Sequence, residues 1–499
     1  MNAFSRRGAC PALSAPMQTG DGLLVRLNPV AGGLTPKSLI GLGESALRHG
    51  NGIMEVTARG SLQIRGLTAE SARLLAAEVD ALGIAVRTGV PVETGPLAGI
   101  DPQEVADPRP LAERIRAAVE EAGLTPRLGP KVSVVVDGGG QLAMDAVTAD
   151  VRLKAVRADA AVHWSLSVVG DARNAMPLAT ADEDAARDIT VAALRMVAEK
   201  GREAHTRDLS ERQLNSLASW HSVAPLSVLP DISPSRGEID PSPTVSPIPN
   251  IGRAQHISTL AREAPPPKLP ISPLVGEMSG RTEGGAVERP LPPIGIFGLN
   301  AGQALGIGLP YGSMPAQSLI ELATQAAGLG TTEIRLSPGR AMLFRGLAPS
   351  ACASLQATAA ALGFVTDAAD PRIRIAACPG TPACASGRIA TRAIAETIAA
   401  QNSDLLDASL SLHVSGCAKG CAHPGLAALT LVGDENGAGL VVGGTAKALP
   451  AGYRPGYDAA RGISGILAAI RAQRHRGETA AACLTRLGAA GIAEIYRQE

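Results

Sequence analysis

Arg65-Gly66-Leu67 returns 280 residues later as Arg345-Gly346-Leu347, and the same shift holds along much of the chain. Ser38-Leu39-Ile40 falls on Ser318-Leu319-Ile320, Gly50 on Gly330, and Ala81-Leu82-Gly83 on Ala361-Leu362-Gly363. Further on, Val134 meets Val414 and Gly140 meets Gly420. Self-similarity over this span is a duplicated architecture, and it decides the fold before any single element is assigned.

Both copies read alike. In the first, Thr35 is a helix cap with Pro36 at the first helical position. The helix is predicted through Leu39, Ile40 and Leu47, ending at Gly50, and Asn51-Gly52 is a turn. Met54 and Val56 alternate as a strand, and Leu62-Gln63-Ile64-Arg65 is another. A second helix after Thr68 has Ala72, Leu75, Val79 and Leu82 on one face. Strand, helix, strand, strand and helix of these lengths predict an α+β fold of duplicated ferredoxin-like half-domains related by a pseudo-twofold. An α/β segment follows each half, with Val132–Val136 and His163–Val169 in the first, and Leu410–Val414 and Ala427–Val432 in the second.

The predicted division is an N-terminal extension with the first half-domain at 1–90 and a first α/β domain at 91–221. The second half-domain is predicted at 293–368 and the second α/β domain at 369–499. Between them, 222–292 carries Leu229-Pro-Asp-Ile-Ser-Pro-Ser and Ala264-Pro-Pro-Pro-Lys-Leu-Pro270, and reads as a proline- and serine-rich linker.

Composition narrows the function. The net charge is zero and aromatics make up 2% of 499 residues, which argues against nucleic-acid binding. No apolar run reaches the length of a membrane span, and the N-terminus has no apolar signal core, so the expectation is a cytoplasmic protein.

The two copies differ where cysteine appears. Cys378-Pro-Gly-Thr-Pro-Ala-Cys384 and Cys417-Ala-Lys-Gly-Cys421 supply four thiols from two loops. Soft sulfur ligands in this number suit a [4Fe–4S] cluster, and the interspersed glycines let backbone amides approach it. Zinc is an alternative, though its cysteine pairs usually enclose two to four residues. A reducing compartment argues against disulfides. Cys10, Cys352 and Cys483 are scattered and read as structural. Opposite Gly416-Cys417-Ala-Lys-Gly420-Cys421 the first copy has Val136-Asp137-Gly-Gly-Gly140-Gln141, so only one copy carries cluster ligands.

Duplicated halves with these cysteine pairs resemble the sulfite and nitrite reductase superfamily, whose α/β domains hold a [4Fe–4S] cluster beside a tetrapyrrole. Three segments resemble the precorrin-3B synthase family within it. They are Arg7–Pro11 with Pro16-Met-Gln-Thr-Gly-Asp-Gly-Leu-Leu24, then Ala377–Ala385, then Val414–Pro424. The resemblance implies a monooxygenase of cobalamin biosynthesis. It would hydroxylate precorrin-3A at C20 and close a lactone to the ring A acetate, with O2 as oxidant and NADH as ultimate donor. It also implies an iron centre beside the cluster: a mononuclear iron, or siroheme iron with Cys421 as bridging ligand. The runner-up is a ferredoxin-dependent siroheme sulfite or nitrite reductase, and a third reading is a non-catalytic electron carrier. Against siroheme, Val92–Asp101 stands where the reductases have an Asn-Arg-Asn loop, and it carries no arginine.

A tetrapyrrole polycarboxylate needs fixed cations, and arginine forks suit it. By position in the resembling segments the candidates are Arg26, Arg59, Arg65, Lys131 and Arg388. The mononuclear iron has no assigned ligands. His49, His163, His413 and His423 are the histidines of the repeats, His423 being nearest the cysteines, with Asp21 and Glu55 as carboxylate candidates. No G-x-G-x-x-G follows a strand, so a separate reductase is expected to deliver the electrons.

Overall fold

The first half-domain opens on a hairpin, β1 (Met17–Thr19) and β2 (Gly22–Leu27). α1 (Pro36–His49) follows, its start fixed by the Thr35 hydroxyl accepting from the Ser38 amide. β3 (Ile53–Val56), β4 (Leu62–Leu67) and α2 (Ala69–Ala81) complete it. The computed structural model describes residues 11–31, 33–158, 161–218, 292–407 and 409–498. The expected linker lies outside the described residues except for Pro292, as does Arg7–Cys10.

The first α/β domain holds β5 (Val92–Thr94), α3 (Arg109–Glu121), β6 (Val134–Asp137), β7 (Ala149–Ala158), β8 (Ala161–Gly170), β9 (Met176–Ala181), α4 (Glu183–Lys200) and α5 (Glu211–Ala218). The second half-domain is β10 (Gly295–Gly298), β11 (Gln303–Gly308), β12 (Ser313–Pro315), α6 (Ala316–Gly328), β13 (Glu333–Ser337), β14 (Ala341–Leu347) and α7 (Pro349–Ala361). The second α/β domain is β15 (Ile375–Ala377), α8 (Thr391–Gln401), β16 (Leu412–Ser415), β17 (Ala427–Asp434), β18 (Gly437–Gly444), β19 (Gly452–Arg454), α9 (Ala459–Gln473) and α10 (Ala480–Arg497).

Strand order shows the duplication directly. The half-domain sheets run β1-β2-β4-β3 and β10-β11-β14-β13, with β12 added to the first beside β3. Both α/β sheets have two parallel pairings followed by two antiparallel ones, in the orders β5-β6-β7-β8-β9 and β15-β16-β17-β18-β19. α1 and α6 lie against each other at the seam: Gly43 touches Ile320, whose Cγ1 comes within 2.5 Å of where a Cβ would sit.

The shift of 280 holds pair for pair in the half-domains, where Met54↔Ile64 and Glu55↔Gln63 match Ile334↔Phe344 and Arg335↔Leu343. It slips in the α/β domains. Val134 sits between Val92 and Val151, and its register counterpart between Ile375 and Leu429 is Leu412, not Val414. Gly138 therefore corresponds to Gly416. Insertions and deletions fall in loops, where the core does not resist them, so a constant shift cannot cross them. One further correction concerns α1, whose buried stripe is Leu39, Leu42 and Ala46, while Leu47 is 47% exposed.

Candidate functional site

Cys378 directly follows β15 and Cys417 follows β16 by two residues, so both loops leave the carboxyl ends of two paired parallel strands. That end of an α/β sheet is where ligands collect. The loops touch through glycine. A Cβ on Gly416 would lie 3.2 Å from the Cα atoms of Gly380 and Gly387, and Gly380 has a φ of +62°. The Gly416 amide donates to Cys378 Sγ at 3.2 Å, the Arg388 amide to the Gly416 carbonyl at 2.8 Å, and Lys419 Nζ to Ser386 Oγ at 2.7 Å. The Cys421 thiol is pushed up in pKa by withdrawal from water and then by Cys417, Cys378 and Cys384, so the other three sulfurs all lie near it.

This donor set fits an iron–sulfur cluster. Four cysteines converge without disulfides, an amide already points at a sulfur, and glycine leaves backbone bare around them. Among the described residues no three His, Cys, Asp or Glu side chains stand close enough to grip a single metal ion, so a single-zinc arrangement is not assembled. Ligands of a mononuclear iron are not assembled either. His49 bonds Glu78 at 2.8 Å, and His423 Nε2 bonds its own loop at the Leu426 carbonyl, 3.0 Å away. His163 in β8 has a buried, unpartnered Nδ1. His413 is fully buried in β16, neither ring nitrogen has a partner, and its ring meets that of His423 edge-on at 5.7 Å. Burial, with His423 and Arg340 nearby, pushes its pKa down to about 4.

Against the first cysteine loop lies the polar face of the first half-domain sheet. Alternation along β2, β3 and β4 sends Val25, Leu27, Met54, Val56, Leu62 and Ile64 into the core beneath the helices. It leaves Arg26, Glu55, Gln63 and Arg65 together on the other side. Arg26 donates to Gln63 Oε1 at 2.6 and 3.0 Å, and Gln63 Nε2 to Glu55 at 2.8 Å. Arg65 reaches Asp21 by two bonds of 3.0 Å, Glu55 at 3.4 Å, and the carbonyl of Ala383, beside Cys384, at 2.6 Å. Arg392, at the start of α8, pairs with Glu55 from the other side. The β1–β2 turn also presses on the loop. The Gly20 amide donates to the Ala383 carbonyl at 3.2 Å, and a Cβ there would come within 2.7 Å of the Ala385 nitrogen and the Pro382 oxygen. Arg340 braces the second cysteine loop by donating to the Ala422 carbonyl at 2.7 Å.

The sequence-predicted cations therefore separate. Arg26 and Arg65 share the face over the cysteine loop. Arg65 is 4% exposed and its fork is occupied by Asp21, Glu55 and Ala383, so its place is that of a positioning residue. Asp21 and Glu55, read as iron carboxylates, are its counter-charges. Burial works against the Asp21 carboxylate, but Arg65 and Thr19 outweigh it and hold its pKa below the usual range. Arg59 ties the half-domain to the first α/β domain through Thr148 O at 2.6 Å, Glu93 at 3.0 Å and Ser133 Oγ at 3.2 Å. Lys131 is exposed in the turn before β6, and Arg388 is exposed on the cysteine loop. Arg340 and Arg392 were not singled out from sequence, and Gln63 only as a member of the 57–67 segment that resembles the reductases.

The other copy closes the equivalent place. Gln63 becomes Leu343, which packs with Phe297 and Ala304 against Leu97 and Leu142 of the first α/β domain. The loops matching the cysteine loops are stitched together: the Gln141 amide donates to Asp101 at 2.6 Å and the Val105 amide to the Gly138 carbonyl at 2.8 Å. Glu104 accepts from the Gly99 amide there, and burial, then Asp107 and Asp101, push its pKa up to about 7. A carboxyl raised from 4.5 favours the fold fully below pH 4.5 and loses that contribution as pH rises towards 7. Glu104→Gln should flatten this dependence by about 1–2 kcal/mol, the full shift being reduced because the group is only partly buried. Urea midpoints at pH 5 and pH 8 will show it, and parallel pH dependences in both proteins would count against it.

Residues 15–82 match the nitrite/sulfite reductase ferredoxin-like half domain. The NirA protein of Mycobacterium tuberculosis superposes with a TM-score of 0.67 at 19% identity, covering 93% of this chain and 83% of that one. The fold is the duplicated one of the nitrite and sulfite reductases. A precorrin-3B synthase from Sinorhizobium sp is 38% identical over 496 residues, 99% of this chain and 96% of that protein. The chain belongs to the precorrin-3B synthase family.

Proposed function

We propose that the chain is the monooxygenase that converts precorrin-3A to precorrin-3B. One atom of O2 enters at C20, the ring A acetate closes a lactone, and the other oxygen atom leaves as water with two electrons that originate from NADH. The observation that carries this reading is a polar, arginine-bearing sheet face laid against a four-cysteine loop pair, in a chain similar over its whole length to a precorrin-3B synthase. Cys378, Cys384, Cys417 and Cys421 would hold a [4Fe–4S] cluster, which when bound supplies single electrons. Arg26, held by Gln63, offers a cation towards a substrate carboxylate. Arg65, Asp21, Glu55 and Arg392 keep the cysteine loop and the sheet face in register. No helix among the described residues is long and apolar enough to cross a membrane.

Anaerobic purification followed by an absorption spectrum and iron and sulfide analysis tests the reading. An iron–sulfur shoulder, iron in excess of sulfide and no haem bands are expected, with O2-dependent formation of the hydroxylated lactone by mass spectrometry. Siroheme bands with sulfite or nitrite turnover would replace it. Electrons are proposed to come from a separate reductase, and turnover of the purified chain with NADH alone would remove that element.

A further inference from the structure

A cavity of about 650 Å³ lies away from the cysteine loops, between residues 28–31 with Leu34, the segment 86–96, α3 and β13. No residue of either cysteine loop lines it. In the second copy the loop between the second strand and the first helix carries Tyr311, 7% exposed and packed with Ile375, Ile394 and Ile398. Its buried hydroxyl makes no hydrogen bond, and the charges that act on it are Glu396 of α8 and Arg372 and Asp370 of the segment before β15. In the first copy the corresponding wall residues are Glu113 of α3 and Arg87 of the segment before β5, with Ala31 in the loop. A buried tyrosine in one copy stands where its duplicate has Ala31 at the edge of the cavity, so the opening does not follow from the fold itself.

The open copy also has an unbalanced charge. Arg109 pairs with Asp107, and Arg335 with Glu333. Arg87 and Arg116, which both face the cavity, have no carboxylate within ion-pair distance among the described residues. Arg116 gives one bond to the Val92 carbonyl at 2.6 Å and keeps its other donors. Burial, and then Arg87, lower its pKa, and the Glu113 carboxylate in the same wall offsets this only in part. Two guanidiniums brought together at a concave, partly dry surface are stabilised by an anion shared between them.

We propose that this cavity is a second ligand site, taking a small molecule whose carboxylate or phosphate lies between Arg87 and Arg116. It is independent of the cluster and of the substrate reading. The test is calorimetric titration of the full chain with succinate and, separately, with inorganic phosphate. Saturable binding of succinate alone identifies a carboxylate ligand, of phosphate alone a phosphate ligand, and of both a general anion site. Arg87→Ala, at an exposed position, should weaken binding by roughly tenfold or more, the loss of one charge-assisted contact. Ala31→Tyr, which places in the loop after β2 the ring that Tyr311 supplies in the other copy, should abolish binding while the cysteine loops keep their iron. No saturable binding of either anion to the unmodified chain overturns the proposal, as does equal binding by Arg87→Ala.

Discussion

Cys417→Ser is expected to yield a folded chain that purifies with little iron or sulfide and with activity lowered by more than about 100-fold. Disturbing partners of metal ligands already costs about 10–100-fold, and removing a ligand costs more. The loop geometry makes the effect local. Cys417 sits beyond the end of β16, its carbonyl accepts from Ser415 Oγ at 2.7 Å, and neither contact belongs to the hydrophobic core below. Serine keeps that backbone geometry and presents an oxygen, a poor match for a site built of soft sulfur. The controls are Cys352→Ser and Cys483→Ser, both fully buried in helices outside the two cysteine loops. They should lower stability by burying a hydroxyl, yet leave iron and sulfide per folded chain unchanged. Iron analysis beside circular dichroism separates the classes. A Cys417→Ser protein with a full complement of sulfide would remove the second cysteine pair from the site.

Much of this was legible in the sequence because duplication writes the same physics twice. Thr35-Pro36 caps α1, the apolar alternation of β3 and β4 is plain, and the constant shift is the register of the half-domain sheets. The cysteine pairs announced themselves by type and spacing. What sequence could not give was neutralisation. Arg65 looks like any cation on a strand, and its role rests on Ala383, 318 residues away, and on Asp21 and Glu55, which as isolated carboxylates in the sequence are equally candidates for iron. Arg340 has a φ of +66°, a backbone state for which a non-glycine residue gives no signal, and it is this turn that places its side chain at Ala422. The slip between Val134 and Leu412 arose in loops, which periodicity does not constrain. Nor could the cavity be foreseen, since an absent side chain in one of two similar loops is visible only once both are folded.

Arg65→Met should cost about 3–5 kcal/mol and speed the loss of iron from the chain. Arg65 is 4% exposed and Glu55 3%, so deleting the guanidinium leaves the buried Glu55 and half-buried Asp21 carboxylates with less compensation. Glu55 would keep Gln63 and Arg392, and Asp21 would keep Thr19 and Asn51. The Ala383 carbonyl would keep only the Gly20 amide, at 3.2 Å. The carbonyl next to Cys384 is then held by one donor where it had two. Arg65→Lys retains the charge but not the fork, and should fall between the two proteins. The acid limb gives an independent readout. Asp21 has its folded pKa below the ordinary 3.8, so its contribution is present above that value and is lost as pH falls through the lowered one. The variant should therefore unfold less steeply with acid than the parent, although it is less stable at neutral pH. Asp21→Asn in the Arg65→Met background should cost much less than Asp21→Asn alone, because residues in one network do not add. A purely structural arginine would lower the melting temperature without changing iron release from the still-folded chain. If release at a temperature well below melting is the same in Arg65→Met and the parent, Arg65 does not position the cysteine loop.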